Sequence, residues 1–267
     1  MVGIGPKGTG SLLRLLGIES NKTKDALNAL ASGKRINKAS DDAAGLSIAE
    51  GLRADARVGE QATKNISFAI SLSEMRDSTA AQLGEIETRR AELAMQASNG
   101  TLSDEQRVAV DAEYQALGEE AERITQSASF NGKPVFSGES TSFQVGLDGS
   151  EGSTIELAGV TAESLISEGD LLSKENALSA LTQSKEAVEN ISQVRGEAGS
   201  TVSRIEVALN NVLTQKDNAL AAESRIRDAD IAQVAADKIA SEIRTQAGVS
   251  ALSANNLQAR NVLALLG

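Results

Sequence analysis

Apolar residues recur along this chain at alternating intervals of three and four, the mark of a helix with one buried stripe. In the first half Ala49, Leu52, Ala56, Gly59, Ile66 and Ile70 keep that spacing, with Thr63 as the polar member. In the second half Leu181, Val188, Ile191, Ala198, Val202, Ile205, Leu209 and Val212 repeat it, interrupted by Ser184 and Arg195. A stripe this narrow over so many turns predicts a heptad-like seam, because a compact helical core needs a broader apolar face. The two prolines, Pro6 and Pro134, leave both stretches free of the strongest helix breaker.

The pattern changes between Phe130 and Ser173. Turn signals crowd there at Asn131-Gly132, Gly138, Gly146, Asp148-Gly149 and Glu151-Gly152. The runs Ser142 to Val145 and Ser153 to Leu157 alternate polar and apolar residues, as half-buried hairpin strands do. The expected fold is therefore mainly α: an elongated antiparallel helical bundle or coiled coil with a small β-hairpin region at about residues 130–173.

Both ends are rich in leucine, where chain ends ordinarily fray. Leu12, Leu13, Leu15, Leu16, Ile18, Leu27 and Leu30 lie near the start. Val249, Leu252, Leu257, Val262, Leu263, Leu265 and Leu266 lie near the finish. Burying one such side chain is worth roughly 1.5–3 kcal/mol, so these segments call for a partner: each other, another subunit or a membrane surface. Few lysines or arginines flank them, which disfavours the membrane.

Composition then removes most chemistry. The chain has no histidine and no cysteine, so a Ser-His-Asp or Cys-His nucleophile, a thiolate zinc site and an imidazole proton shuttle are all excluded. We expect no catalytic residues, no cofactor and no metal. A formal charge of -11 argues against nucleic acid as a partner. No apolar run approaches the ~18 residues that span a bilayer, so membrane insertion is not expected. Arg14 inside the first apolar stretch, with no small-residue cleavage pattern after it, argues against a cleaved secretory signal.

Two local motifs have structural explanations. Gly3, Gly5 and Gly8 formally make a dinucleotide-binding fingerprint, but Pro6 sits inside it and no strand precedes it, so a flexible leader is expected. Asp41-Asp42, and Asp228 with Asp230, suit helix capping better than metal binding, with Ser40 or Asp41 before the run Ala43-Ala44. Gly33 marks the end of the preceding helix, and residues 33–41 form a short connector.

That connector carries a resemblance. Ser32-Gly-Lys-Arg-Ile-Asn37, leading to Asp41-Asp-Ala-Ala-Gly45, is similar to the amino-terminal motif of bacterial flagellins. Glu92-Leu-Ala-Met-Gln96, Phe130-Asn-Gly132, Glu223 to Asp230, Gln246-Ala-Gly248 and Asn261 to Leu266 resemble further blocks of that family, in its order. The chain looks like a short form without large variable outer domains, departing from the pattern in about residues 1–17 and in the glycine-rich middle.

The resemblance implies a structural, non-enzymatic subunit that polymerises as a helical homopolymer into an extracellular flagellar filament used for motility. Residues 1–45 with 223–267 would form the filament core, with Leu27, Leu30, Leu252, Leu257, Val262, Leu263, Leu265 and Leu266 buried between copies. Residues 46–222 would form a helical shell. It further implies export unfolded through the flagellar type III apparatus, with an export chaperone, cap and hook-associated proteins as partners. A hook–filament junction protein shares the terminal pattern, and a cytoplasmic coiled-coil scaffold would share the seams alone. Arg89, Leu93, Gln96 and Glu113 match the family surface read by Toll-like receptor 5, although Thr88 and Ala91 stand where the family often has Gln and Arg. On helical spacing alone, Arg89 pairs with Glu85 and Leu93 serves subunit packing.

Overall fold

The computed structural model describes the backbone of residues 6–266 and the side chains of residues 10–150 and 152–258. Among the described residues five helices dominate: α1 (Pro6–Ser32), α2 (Ala43–Ala97), α3 (Asp104–Ser127), α4 (Lys174–Arg227) and α5 (Ile231–Leu266). The chain divides into two compact units, Met1–Ala54 with Asn218–Gly267, and Asp55–Asp217.

In the second unit, α2 and α4 run antiparallel, and three buried clusters fix the order. Ala62, Ile66 and Ala69 meet Ile205 and Val212. Further along, Ala80 and Leu83 meet Ile191 and Val194. Leu93, Ala94 and Ala97 then meet Ala177, Ala180 and Leu181. Rising numbers on one helix thus face falling numbers on the other.

The seam runs beside part of the expected one. Ala62 and Ala69 are buried, while the expected Thr63 and Ile70 lie half-buried at its edge. On α4, Ala187, Val194 and Thr201 are buried in place of Val188, Arg195 and Val202. The smaller or shorter neighbour turns inward at several of these steps, which lets two helices approach closely. Arg195 instead reaches out to Asp77 at 2.9 Å.

Helix α3 begins on a capping box: the Ser103 hydroxyl accepts from the Gln106 N–H, and the Gln106 side chain accepts from the Ser103 N–H. Beside it, buried Arg107 donates to the carbonyls of Ala97 (3.2 Å) and Leu102 (3.0 Å), satisfying backbone oxygens at and just past the end of α2. Two hairpins follow α3. The first pairs β1 (Ser129–Phe130) with β2 (Lys133–Pro134) across Asn131 (φ 51°) and Gly132 (φ 79°). Positive φ at both central residues is what a tight primed turn demands of an Asn-Gly pair. The second pairs β3 (Thr141–Gln144) with β4 (Thr154–Leu157), setting Phe143 opposite Ile155. Ile155 and Leu157 are buried and Glu156 is exposed, the alternation expected from the sequence.

In the first unit, α1 and α5 pack on each other. The leader is helical from Pro6 rather than flexible, since proline's fixed φ suits the first helical position and its missing N–H costs nothing there. Met1 to Gly5 lie outside the described residues. The cap of α2 also differs from expectation. Asp42, not Ser40 or Asp41, accepts from the Gly45 N–H at 2.9 Å. Asp41 turns back to accept from the N–H groups of Asn37 and Lys38, and those bonds, that of Lys38 foremost, hold its pKa below the usual carboxylate value. Asp230 caps α5 by accepting from Ala232 and Gln233.

Replacing buried Ile205 by alanine should cost about 2–5 kcal/mol of stability, whereas Val207→Ala, two residues away and exposed, should move it by less than about 0.5 kcal/mol. Urea denaturation of the dissociated chain compares the two; equal effects would mean that the α2–α4 seam is misplaced.

Candidate assembly surfaces

The first surface is the paired ends of the chain. Helices α1 and α5 pack one stripe against each other: a Cβ on Gly248 would stand 2.7 Å from the Leu16 Cδ2, so a larger residue there would push the Leu16 side chain aside. Glu19, on α1, lies 2.9 Å from Lys22 and 3.6 Å from Arg244 of α5. Hydrogen bonding to Lys22 is the main cause that lowers its pKa. Among the described residues both helices also leave large aliphatic side chains exposed. Leu13 is 60% exposed, Ile243 is 63% exposed, and Leu15, Ile18, Leu27, Ile239, Val249 and Leu257 are exposed as well. Of the residues expected in an assembly core, Leu27 and Leu257 thus face outward, and Leu30 and Leu252 are half-buried. The side chains of Val262, Leu263, Leu265 and Leu266 lie outside the described residues.

The connector between α1 and α2 is built by the motif that suggested the family. Gly33 (φ 71°) ends α1, and the Ala229 N–H donates to its carbonyl. Arg35 donates from its backbone to Arg227 and from its guanidinium to the Ile226 carbonyl at 2.8 Å. Ile36 is buried beneath, and Arg227 reaches Glu50 at 2.6 Å. A Cβ on Gly45 would collide with the carboxylate of Asp42 and meet Ile36, so any other residue there would push the helix cap aside.

A second surface lies on α2 and α3. Arg89 is exposed and bridges Glu113 at 2.7 Å and Glu92 at 3.0 Å, not Glu85. The bond to Glu113 is the largest cause raising its already high pKa. The sequence spacing suggested an i−4 partner, but α3 packs alongside and offers a carboxylate in better reach. Gln96 and Glu113 are exposed too, so three of the four matched residues are accessible. Leu93 is not. It is 1% exposed, packed with Tyr114, Leu171 and Leu181, so it is neither a surface knob nor a subunit contact.

Beneath this surface lies a polar cluster that the sequence reading missed. Glu87 is fully buried, and Arg90 nearly so, with their side chains 2.7 Å apart. The Ser167 hydroxyl donates to the other Glu87 oxygen at 2.6 Å. With its hydrogen spent there, Ser167 accepts from both neighbours, Tyr114 at 3.1 Å and Ser184 at 3.0 Å. The Arg90 guanidinium rests 4.0 Å from the centre of the Tyr114 ring. Four chain segments thus meet in one cluster, with Arg90 and Ser167 on the Glu87 carboxylate and Tyr114 and Ser184 on the Ser167 hydroxyl. A signal did exist: Glu87 and Arg90 continue the three-four spacing of Ala80 and Leu83 toward Ala94 and Ala97, where charge is out of place.

Comparison with known proteins bears directly on these motifs. Residues 9–141 match the model of the bacterial flagellin N-terminal helical region, and residues 181–266 match that of the C-terminal helical region. The chain belongs to the bacterial flagellin family. This flagellin is 33% identical over 271 residues to a flagellar filament 30.7 kDa core protein of Treponema maltophilum, covering 95% of each chain. It is 34% identical over 258 residues to a flagellin of Halalkalibacterium halodurans, again with 95% of each covered. Among solved structures, a Bacillus cereus flagellin matches with a TM-score of 0.51 and 27% identity, over 56% of this chain and 88% of that one. As a flagellin, the protein is structural, a component of the bacterial flagellar filament.

The buried pair yields a two-step prediction for this flagellin. Glu87→Leu alone strands a buried guanidinium and should cost about 3–5 kcal/mol, while adding Arg90→Met should restore most of that loss. Chemical denaturation of the two variants decides it; additive losses would mean that the pair is not energetically coupled.

Proposed function

We propose that this flagellin polymerises through its terminal helices, α1 and α5 forming the filament core between copies and residues 46–129 and 174–222 the surrounding shell. Residues 130–173 then make a reduced outer face. The observation that carries the reading is the set of large aliphatic side chains that α1 and α5 leave exposed beside their shared contact. On α5, Ile239, Ile243 and Leu257 fall on one face by helical spacing, while on α1 Leu13 and Leu27 flank one side of the packed face and Leu15 and Ile18 the other. Apolar side chains exposed in this number are suited to burial against copies of the chain. Family membership supports the remainder: export through the flagellar type III apparatus, a chaperone that shields the apolar ends, cap and hook-associated proteins as assembly partners, and an extracellular location.

Heat or acid should dissociate the purified polymer to monomer, and added seeds should restore helical filaments visible by electron microscopy. Removing the last fifteen residues or so, Leu263, Leu265 and Leu266 among them, should abolish regrowth, since each lost leucine forfeits roughly 1.5–3 kcal/mol of burial. Normal filaments from the truncated chain would exclude this role for α5. A discrete soluble oligomer from the intact chain would instead favour a coiled-coil scaffold.

Recognition by Toll-like receptor 5 is a second proposal, supported by the exposed trio Arg89, Gln96 and Glu113. Because the Arg89–Glu113 pair is solvent-exposed, its loss should leave the fold nearly unchanged. Arg89→Glu should therefore weaken binding of the monomer to the receptor ectodomain without shifting its melting temperature. Unchanged binding would remove this surface from consideration.

A further inference from the structure

A groove of about 1170 Å3 runs between α2 and the two hairpins. Phe68 stands in it 58% exposed, with Lys133, Phe143 and Leu157 along its walls. Arg76 also lines it but is only 2% exposed. The Arg76 Nη1 donates to the Ala158 carbonyl at 2.6 Å. Its Nε and Nη2 have no hydrogen-bond partner among the described residues.

These two nitrogens share one edge of the guanidinium. That edge is the fork that grips both oxygens of a carboxylate. A charged group taken out of water with three of its five donors idle is costly unless something completes it. The cost is visible in the side chain itself: burial pushes the Arg76 pKa below the usual arginine value, and the charge of Glu197 offsets this only in part.

The groove is far larger than a single inorganic anion, and its lining brings Arg76, whose fork lies idle beneath the surface, together with an exposed phenyl ring. A protein segment that presents a carboxylate beside apolar side chains fits both features. Among the lining residues, Arg76 and Lys133 outnumber the one acid, Glu139, whereas the chain as a whole has 37 acidic residues against 26 basic ones. Copies of this chain are therefore rich in the charge that the groove lacks. We propose that the groove receives a carboxylate-bearing segment of a neighbouring subunit, with the Nε and Nη2 of Arg76 as its bidentate anchor. The inference rests on the filament reading above. Both nitrogens are closed to solvent in the isolated subunit, so docking includes a change of side-chain rotamer at the groove floor, a common adjustment at protein interfaces.

The test measures the critical concentration for seeded polymerisation alongside thermal melting of the monomer. Arg76→Lys keeps the charge and one donor for Ala158 but loses the fork. It should leave the monomer folded and raise the critical concentration by about tenfold or more. Phe68→Ser, at an exposed position, should raise it as well with no change in melting. If both variants polymerise at the wild-type concentration, the fork is completed within the subunit, by enclosed water or by Glu197, and the proposal is wrong. Should Arg76→Lys fail to fold, Phe68→Ser alone decides by the same criterion. Failure of the wild-type chain to polymerise would sink both the filament reading and this inference, whereas wild-type assembly with unaffected variants would sink the inference alone.

Discussion

Close approach between helices lined with small residues is the interaction on which this structure depends. Alanine, glycine and serine offer little apolar area each, so the α2–α4 pair gains its stability by repeating a shallow contact over many turns. Ile66, Leu83, Leu93, Ile191 and Ile205 are among the large anchors along the way. This geometry explains why both helices are long, and why the connections at their ends are so thoroughly hydrogen-bonded. A long seam is useful only if its ends are held in place.

The capping box at Ser103, the Arg107 bonds to the end of α2 and the Asp42 cap provide that constraint. In the connector, backbone and guanidinium bonds from Arg35 tie the chain near its start to the end of α4. The residues that identify the family are thus chiefly residues that fix a corner, where backbone groups have no helical partner and side chains must supply one. Substitutions there disturb geometry rather than chemistry.

Much of this was legible in the sequence, and the reasons differ by element. Helix existence followed from periodicity and from proline placement, and the hairpins from Asn131-Gly132 and from alternation at Ile155 and Leu157. Which of two adjacent residues faces the seam was not legible: Ala62 and Thr63, or Val194 and Arg195, both fall within the arc that a 3.5-residue approximation to a 3.6-residue helix leaves ambiguous. The partner of Arg89 was missed because local spacing says nothing about a second helix packed alongside. The idle fork of Arg76 belongs to the same class, since it exists only once the Ala158 carbonyl takes one donor and leaves the others. Conversely, the outward leucines of α1 and α5 were visible as a surplus that a single chain has no means to absorb.

The polar cluster around Glu87 has a further consequence when the seam is considered as a ruler. Sliding α4 by seven residues exchanges alanine for alanine at Ala180 and Ala187, contacts that distinguish poorly between one alignment and the next. Elsewhere it would set Ser184 or Ala198 in the place of Ile191 and leave a cavity. The site of Ser184 would pass to Ala177 or Ile191, and neither carries a hydroxyl for Ser167. Glu87 and its partners thus act beside the isoleucines as a second kind of tooth in the zip, opposing a slip by lost hydrogen bonds rather than by lost volume.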